Sequence, residues 1–182
     1  MALALPFSFV SCDVETDEEP GSTNVVKMAG RWEVTIDMCD SNGQILAKDP
    51  YKIGIIEVQT YNTAANETNK MWISDLQNFW DFTFKMDVNY QARTFSATDV
   101  LYNTNMEKIA AAIAAGEKPV DKNGDPLIAE KATIINGKIL EGAAKNLHGK
   151  DNDSIVFDIS FTDDEPGTIY RMAGQRYTGF KE

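Results

Sequence analysis

Strict alternation of apolar and polar residues is the feature that most constrains the fold of this chain. The clearest run places Trp80, Phe82, Phe84, Met86 and Val88 between polar neighbours. The segments Trp32–Met38 and Ile155–Phe161 follow the same pattern. Successive side chains of a β-strand point to opposite faces, so each run predicts a strand with one buried face and one solvated face.

Weaker segments of the same kind raise the expected number of strands to about eight or slightly more. They are Tyr51–Thr60, Asn69–Ser74, Ala92–Ala97, Ala132–Ile135, Lys138–Ala143 and Thr168–Phe180. Turn sequences separate most of them, and the sharpest, Asn136-Gly137, predicts a two-residue hairpin turn. Many short strands at hairpin spacing indicate an all-β antiparallel sandwich or closed barrel.

One segment has helical rather than strand spacing. Its apolar residues recur three or four positions apart, at Met106, Ile109, Ala110 and Ile113. Thr104 and Glu107 fit a capping box, and Gly116 stands where a C-terminal cap belongs. We therefore predict a short helix over Asn105–Ala115 within a helix-loop insertion, residues 104–129. The loop Glu117–Ala129 is either a lid or simple packing across an open barrel end.

The first twelve residues look like an export signal. Residues 1–10 are an apolar run, and Ser11 and Cys12 follow them. This pattern resembles the end of a lipoprotein signal peptide, whose cysteine is lipidated and anchors the protein to a membrane. The basic start of such a signal is missing, and we expect it upstream of Met1. The alternative is a hydrophobic N-terminus that packs on the domain.

The remaining sequence divides into a spacer and one domain. Residues 13–24 carry five acidic residues before Ser22 and predict a hydrated, flexible spacer that cannot bury enough apolar surface to fold. Residues 25–182 predict a single β-barrel domain. Together these features predict an outer-membrane lipoprotein of the cell envelope, facing the surface or the periplasm.

The acidic composition excludes one class of partner. The chain has 28 Asp and Glu against 17 Lys and Arg, a net charge of −11. Nucleic-acid binding depends on Lys and Arg that neutralise phosphates, so we expect no nucleic-acid partner. The sequence also has no run near the roughly 20 apolar residues that a membrane-spanning helix needs.

Two distant segments resemble the closure of a lipocalin-like barrel. Gly30 and Trp32 open the first strong strand with a Gly-x-Trp pattern, and Arg176 lies in the last strand candidate. In lipocalin-like barrels a first-strand tryptophan closes the base and a last-strand arginine lies across its ring. An arginine over an indole face gains cation–π attraction and covers buried surface. The resemblance implies that Trp32 and Arg176 close a lipocalin-like (calycin-type) barrel.

A wider resemblance covers most of residues 25–182. The chain is similar to a family of Bacteroides lipoproteins described as lipid-binding putative hydrolases. The segments that carry this resemblance are Met71–Asp75, Asn78–Phe82, Ile135–Ile139, Asp153–Phe157 and Gly174–Phe180. It implies a lipocalin-like barrel and a lipid or other apolar ligand. The acidic spacer also resembles signals that follow the cysteine in surface-exposed lipoproteins of such bacteria.

The sequence offers weak candidates for catalysis or metal binding. His148 is the one histidine, and no Gly-x-Ser-x-Gly motif accompanies it, so we expect no catalytic triad. Asp75 and Asp81 could form a glycosidase-type pair, but strand parity turns Asp81 towards solvent. The glycine of Asp121–Asp125 is misplaced for a calcium loop. We expect no metal, no cofactor and a structural role for Cys39.

The inward-facing aromatic residues are the candidate ligand site. They are Trp32, Trp80, Phe82, Phe84, Phe157 and Phe161. A barrel of about eight strands has an interior that side chains just fill, or that holds one small ligand. Two functions are therefore favoured, and a hydrolase, which the family description implies, is the least expected third. The first is a lipoprotein that binds a lipid or apolar ligand, and the second is a filled barrel that docks a protein partner through its acidic face or a sheet edge.

Overall fold

The computed structural model describes residues 22–102, 106–120, 122–127, 129–146 and 148–179. Nine strands and one helix lie within these ranges. In chain order they are β1 (Gly30–Cys39), β2 (Ile45–Lys48), β3 (Ile56–Asn62), β4 (Lys70–Ser74), β5 (Thr83–Asn89), β6 (Thr94–Leu101), α1 (Met106–Ala114), β7 (Lys131–Lys145), β8 (Asp151–Phe161) and β9 (Ile169–Arg176). The predicted helix over Asn105–Ala115 is confirmed as α1, and Gly116 has the expected positive φ of 71°.

The strands form one antiparallel sheet that closes on itself. The neighbours run β1-β3-β4-β5-β6-β7-β8-β9, and β9 pairs back onto β1. Trp32 lies opposite Arg176 at one end of this closing ladder, and Cys39 lies opposite Ile169 at the other. The short β2 pairs with the end of β1, next to the start of β3. The predicted all-β, lipocalin-like antiparallel barrel of about eight strands is confirmed.

The strand directions define the two ends of the barrel. The base holds the start of β1, the end of β9 and the segments 22–29, 63–69 and 90–93. The mouth holds the segments 40–44, 49–55, 75–82 and 162–168. The insertion that contains α1 also connects β6 to β7 at the mouth.

The prediction of a hairpin turn at Asn136-Gly137 is wrong. Both residues lie inside β7, where the pairing with β8 shifts between Ile135 and Lys138. Because the segments on either side pair with the same two neighbours, β6 and β8, the chain does not reverse. The positive φ of Asn136, 57°, marks a bulge. A Cβ atom on Gly137 would overlap the Phe95 ring, so the bulge also requires a glycine there.

The alternation pattern predicted the buried faces correctly but placed some strand ends wrongly. Phe82 and Phe84 are buried as predicted, yet β5 begins at Thr83. Trp80 lies in the preceding loop, which Asp81 interrupts with a positive φ of 54°. Tyr51 likewise belongs to an irregular connection, since β3 begins at Ile56. Alternation reports which side chains are buried, and local φ angles decide where the ladder starts.

Side chains of the described residues fill the interior of the barrel. The largest fully buried ones are Trp32, Tyr170, Phe82, Phe84, Phe157, Met28, Ile36, Met71, Ile73, Met86, Ile134 and Ile155. They belong to one continuous apolar cluster with contributions from all eight barrel strands. Because these side chains are buried in one cluster, changes in their volume are expected to cost stability.

Candidate functional site

The base of the barrel is sealed by Trp32 and Arg176, which the structure brings together. The Arg176 guanidinium lies 4.4 Å from the Trp32 ring centroid. The indole Nε1 donates a 2.8 Å hydrogen bond to Thr60 Oγ1, and Arg176 Nη1 donates one of 2.5 Å to Ala29 O. The fully buried indole therefore has its polar atom satisfied and its outer face covered by a cation.

The chain before β1 completes the seal. The turn over residues 23–29 buries Val25 and Met28 completely against the barrel. Met28 O accepts a 2.7 Å hydrogen bond from Thr60 Oγ1, which links this turn to β3. A Cβ atom on Gly30 would overlap the Arg176 guanidinium, so glycine at this position makes room for the arginine. Trp32 at the base is therefore inaccessible to solvent.

The opposite end holds a cluster of aromatic rings, which we call the aromatic mouth. Its members are Tyr51, Phe79, Trp80, Tyr102, Phe161 and Tyr170. Trp80 stacks on Phe161 with ring centroids 4.8 Å apart, and Phe79 meets Tyr170 edge-on at 5.0 Å. Phe79 and Trp80 are half-buried and Tyr51 is 50% exposed. This end therefore presents apolar ring surface to solvent.

Two carboxylates beside the turn after β8 accept hydrogen bonds from the polar atoms of these rings. Asp163 accepts from Trp80 Nε1 at 3.1 Å and from the Tyr102 hydroxyl at 2.5 Å. Asp164 accepts from the Tyr170 hydroxyl at 2.7 Å. Burial is the largest cause that raises the pKa of Tyr102 and of Tyr170 above that of a free phenol. Hydrogen bonds add to it, with Asp163 for Tyr102 and with Tyr51 and Asp164 for Tyr170. Both phenols therefore stay protonated and act as donors.

A buried carboxylate holds the loop that carries Phe79 and Trp80. Asp75 is 0% exposed. Its two oxygens accept backbone N–H bonds of 2.8 to 3.1 Å from Gln77, Phe79, Trp80, Asp81 and Phe82. Three residues of this loop have positive φ, Leu76, Gln77 and Asp81. The carboxylate thus compensates a strained backbone that local propensity alone would not form.

The sequence did not identify this role for Asp75. The pairing considered there, Asp75 with Asp81 as two catalytic carboxylates, is not what the structure shows. Asp81 is exposed as predicted, while Asp75 is fully buried and bound to backbone amides. The available signal was an aspartate at a strand end followed by a polar segment, which is typical of a loop in which the side chain binds backbone amides.

The six predicted ligand residues lie at different depths. Trp80 and Phe161 belong to the aromatic mouth. Phe82 lies directly below, 5.8 Å from Phe161 and 5.5 Å from Phe84 between ring centroids. Phe84, Phe157 and Trp32 are buried in the packed interior, and Trp32 lies at the base. A ligand role for these six residues stays a prediction. At the mouth the rings lie next to solvent-accessible surface, so a ligand could contact them there.

The other candidates for chemistry lie apart from the mouth. His148 is exposed in the turn between β7 and β8, where its backbone N–H donates to Asn146 Oδ1 at 3.1 Å. Cys39 is buried, and burial raises the pKa of its thiol. Asp121 of the calcium-like segment lies outside the described residues. Within the described ranges, no group of three or more His, Cys, Asp or Glu side chains is placed to hold a metal ion.

Two further predicted features concern membranes. Cys12 and the spacer up to Gly21 lie outside the described residues. No helix in the described part of the chain has both the length and the apolar character needed to cross a membrane.

Comparisons with known proteins identify a family. The family described as lipid-binding putative hydrolase matches residues 17–181. A crystal structure of a Bacteroides ovatus protein of unknown function aligns with 82% of this chain, at 10% sequence identity and a TM-score of 0.38. The alignment spans 42% of that protein's length. No curated protein matches the sequence significantly.

Proposed function

The chain belongs to the lipid-binding putative hydrolase family, and we propose that it binds a lipid or another apolar ligand at the aromatic mouth without catalysing a reaction. The observation that carries this proposal is the contrast between half-buried rings at the mouth and a filled interior. Phe79, Trp80 and Tyr51 offer apolar surface that water reaches. Ligand sites are typically lined by such aromatic residues together with a few fixed polar groups.

The geometry of the mouth suits an apolar chain beside a polar head. The stacked pair of Trp80 and Phe161 can contact methylene groups through the ring faces. Asp163 fixes the Trp80 indole and Asp164 fixes the neighbouring Tyr170 phenol, so both carboxylates lie at the polar edge of the aromatic mouth. Preordered rings lose little side-chain entropy on binding, which favours affinity.

Absence of catalysis is part of the proposal because the described residues supply no catalytic constellation near the mouth. Hydrolysis by a nucleophile requires a base within hydrogen-bond reach of it and an oxyanion site. His148 lies in the turn between β7 and β8, at the base end of the barrel. The mouth carboxylates Asp163 and Asp164 are engaged by tyrosine and tryptophan donors.

We further propose that the protein is an outer-membrane lipoprotein of the cell envelope, anchored through Cys12. The apolar residues before Cys12 and the acidic residues after it support this location. Cys12→Ala is expected to release the protein from the membrane fraction of its native host, whereas Cys39→Ala is the matched control. Retention of the Cys12→Ala protein in that fraction would contradict the anchor.

The packed interior favours a second function, a structural lipoprotein that docks a protein partner. Core residues such as Phe84 and Phe157 are fully buried. In that case the acidic surface of the barrel would be the interface, since net charge supports selective association. The apolar ligand and the protein partner require different surfaces and can be tested separately.

Native mass spectrometry of the full chain, purified from a lipid-rich host and followed by organic extraction, tests the proposed function. We expect a stoichiometric added mass that is extracted as a lipid, and reduced occupancy in Trp80→Ala. Trp72→Ala is the control, because Trp72 stacks on Tyr61 at the outer wall. An apo mass together with no uptake of cis-parinaric acid would overturn ligand binding and favour the protein partner.

A further inference from the structure

One part of the barrel wall is joined differently from the rest. β5 and β6 pair at three positions near the base, Asp87 with Ser96, Val88 with Phe95 and Asn89 with Thr94. Above these positions Thr83–Met86 pairs with β4, while Ala97, Val100 and Leu101 pair with β7, as Thr94 and Phe95 do nearer the base. Among the described residues no ladder joins these two upper segments to each other. We call the space between them the β5–β6 seam.

The bends of β6 explain why the strands separate. Its register with β7 shifts twice, between Phe95 and Ala97 and between Ala97 and Val100. Such irregularities bend a strand and increase its local twist, which turns the upper part of β6 away from β5. An open groove of about 390 Å³ lies below the seam, over the positions where β5 and β6 pair, and is lined by Val88, Phe95 and Gly137 among others. The seam itself begins above this groove, where the β5–β6 ladder ends.

The inner side of the seam is apolar and continuous with the aromatic mouth. Phe84 and Met86 of β5 and Ala97 of β6 point into the barrel and are 1 to 2% exposed. Phe82 continues this surface upward, and its ring contacts Phe161. The outer side is polar, with exposed Lys85, Thr98 and Asp99. An amphiphile in the seam would thus find apolar contacts inside and polar groups outside.

Separation of the wall is easiest at this seam. β1 and β9 pair continuously from Trp32–Arg176 to Cys39–Ile169, so opening there breaks a long series of backbone hydrogen bonds. β7 and β8 pair along most of their length as well. The upper seam has no described β5–β6 ladder to break. Since the base is sealed and the interior is filled, lateral movement here is the least costly way to admit a chain.

We propose that a single alkyl chain reaches the barrel interior laterally, through the β5–β6 seam, and lies against Phe84, Met86 and Ala97. This inference rests on the proposed function and adds the ligand class, an amphiphile with one alkyl chain. One chain is specified because the route lies between two adjacent strands, β5 and β6, above the end of their ladder. The polar head stays outside, near Lys85 and Thr98.

Reversible cross-linking across the seam tests the proposal. The full chain carries Cys12→Ser and retains buried Cys39. Lys85→Cys with Thr98→Cys places exposed thiols on opposite sides of the seam. Asp87→Cys with Ser96→Cys is the matched control on the same strands, where β5 and β6 already pair. A reducible bis-maleimide closes each pair, mass spectrometry verifies closure, and stopped-flow fluorescence follows the uptake of cis-parinaric acid.

We expect closure of the 85–98 pair to slow uptake by about tenfold or more, because the competent open state becomes rare. Reduction of the linker should restore the rate, and closure of the 87–96 pair should leave it within about twofold. Unchanged uptake by the closed 85–98 protein would overturn the lateral route while leaving ligand binding intact. No uptake by the unchanged protein would instead refute the proposed function. A diacyl phospholipid that displaces the probe equally well would overturn the single-chain assignment.

Discussion

The two ends of the barrel are both closed by aromatic residues, but by different chemistry. At the base, Trp32 is fully buried, bonded to Thr60 and covered by the Arg176 guanidinium. At the mouth, Trp80 is half-buried and stacks on Phe161, with its Nε1 bonded to the exposed Asp163. One tryptophan completes the core, and the other remains within reach of solvent and of a ligand.

This difference follows from what holds each residue. Trp32 sits in a strand whose register with β3 and β9 is fixed by ladders on both sides. Trp80 sits in a loop that depends on the carboxylate of Asp75. Ladders create cooperative stability, whereas a loop held by one side chain can be altered with less effect on the remaining fold. We expect mutations to separate stability at the base from ligand binding at the mouth.

Trp32→Ala should have the largest effect on stability. Removal of a large, buried aromatic side chain costs about 3–5 kcal/mol. Urea unfolding followed by far-ultraviolet circular dichroism measures the loss. A decrease of less than about 1 kcal/mol would show that the base does not depend on this ring.

Asp75→Asn should affect the mouth more than the base. The amide keeps one acceptor oxygen and leaves some of the loop N–H groups unpaired, at a cost of about 1–3 kcal/mol. Trp80 fluorescence should shift to the red as the loop loosens, and affinity for an apolar probe should fall. Asp81→Asn, an exposed change in the same loop, is the control and should leave both readouts unchanged. Equal behaviour of the two variants would contradict the role of Asp75.

Arg176→Lys should cost less, about 1 kcal/mol, because lysine retains the charge but loses the planar contact with the indole. Chemical unfolding measures the difference, with Lys150→Ala in an exposed turn as the reference. Affinity for an apolar probe should remain that of the unchanged protein. A loss of probe binding in Arg176→Lys would show that the two ends are not independent.

The smallest expected effect is a dependence of stability on alkaline pH that originates at the mouth. The pKa values of Tyr102 and Tyr170 are raised in the folded protein, mainly by burial. Their contribution to the free energy of unfolding is complete below the unfolded phenol pKa of about 10. It is lost as pH rises above that value, because the phenols of the unfolded chain then release protons. Tyr102→Phe with Tyr170→Phe should flatten this decline in unfolding experiments. An equally steep decline in the double variant would locate the effect elsewhere.

Most of the barrel could be predicted from the sequence, because buried and exposed side chains alternate wherever one face of a strand contacts solvent. Trp32, Phe84 and Phe157 were placed in the interior on that basis, and they lie there. Asp158 shows the limit of the argument. It occupies a polar position of the pattern, yet it is 2% exposed because Arg171 from the adjacent strand binds it with two nitrogens. Such a pair depends on cross-strand register, which the sequence alone does not give.

The mouth was less predictable for a related reason. Trp80 was recognised as an inward-facing aromatic, but its loop depends on amide bonds to Asp75 and on positive φ angles. The hairpin expected at Asn136 was wrong because the same residue types serve turns and bulges. To distinguish a turn from a bulge, one must know which strands pair with the segment on both of its sides.

Quenching of tryptophan fluorescence by a brominated fatty acid tests most directly whether an apolar ligand binds at the mouth. In the unchanged protein and in Trp72→Phe, the brominated chain should quench the fraction of the emission that comes from Trp80. In Trp80→Phe this quenching should disappear, because Trp32 at the sealed base is out of reach. Strong quenching that persists in Trp80→Phe would place the ligand elsewhere and contradict the assignment of the site to the aromatic mouth.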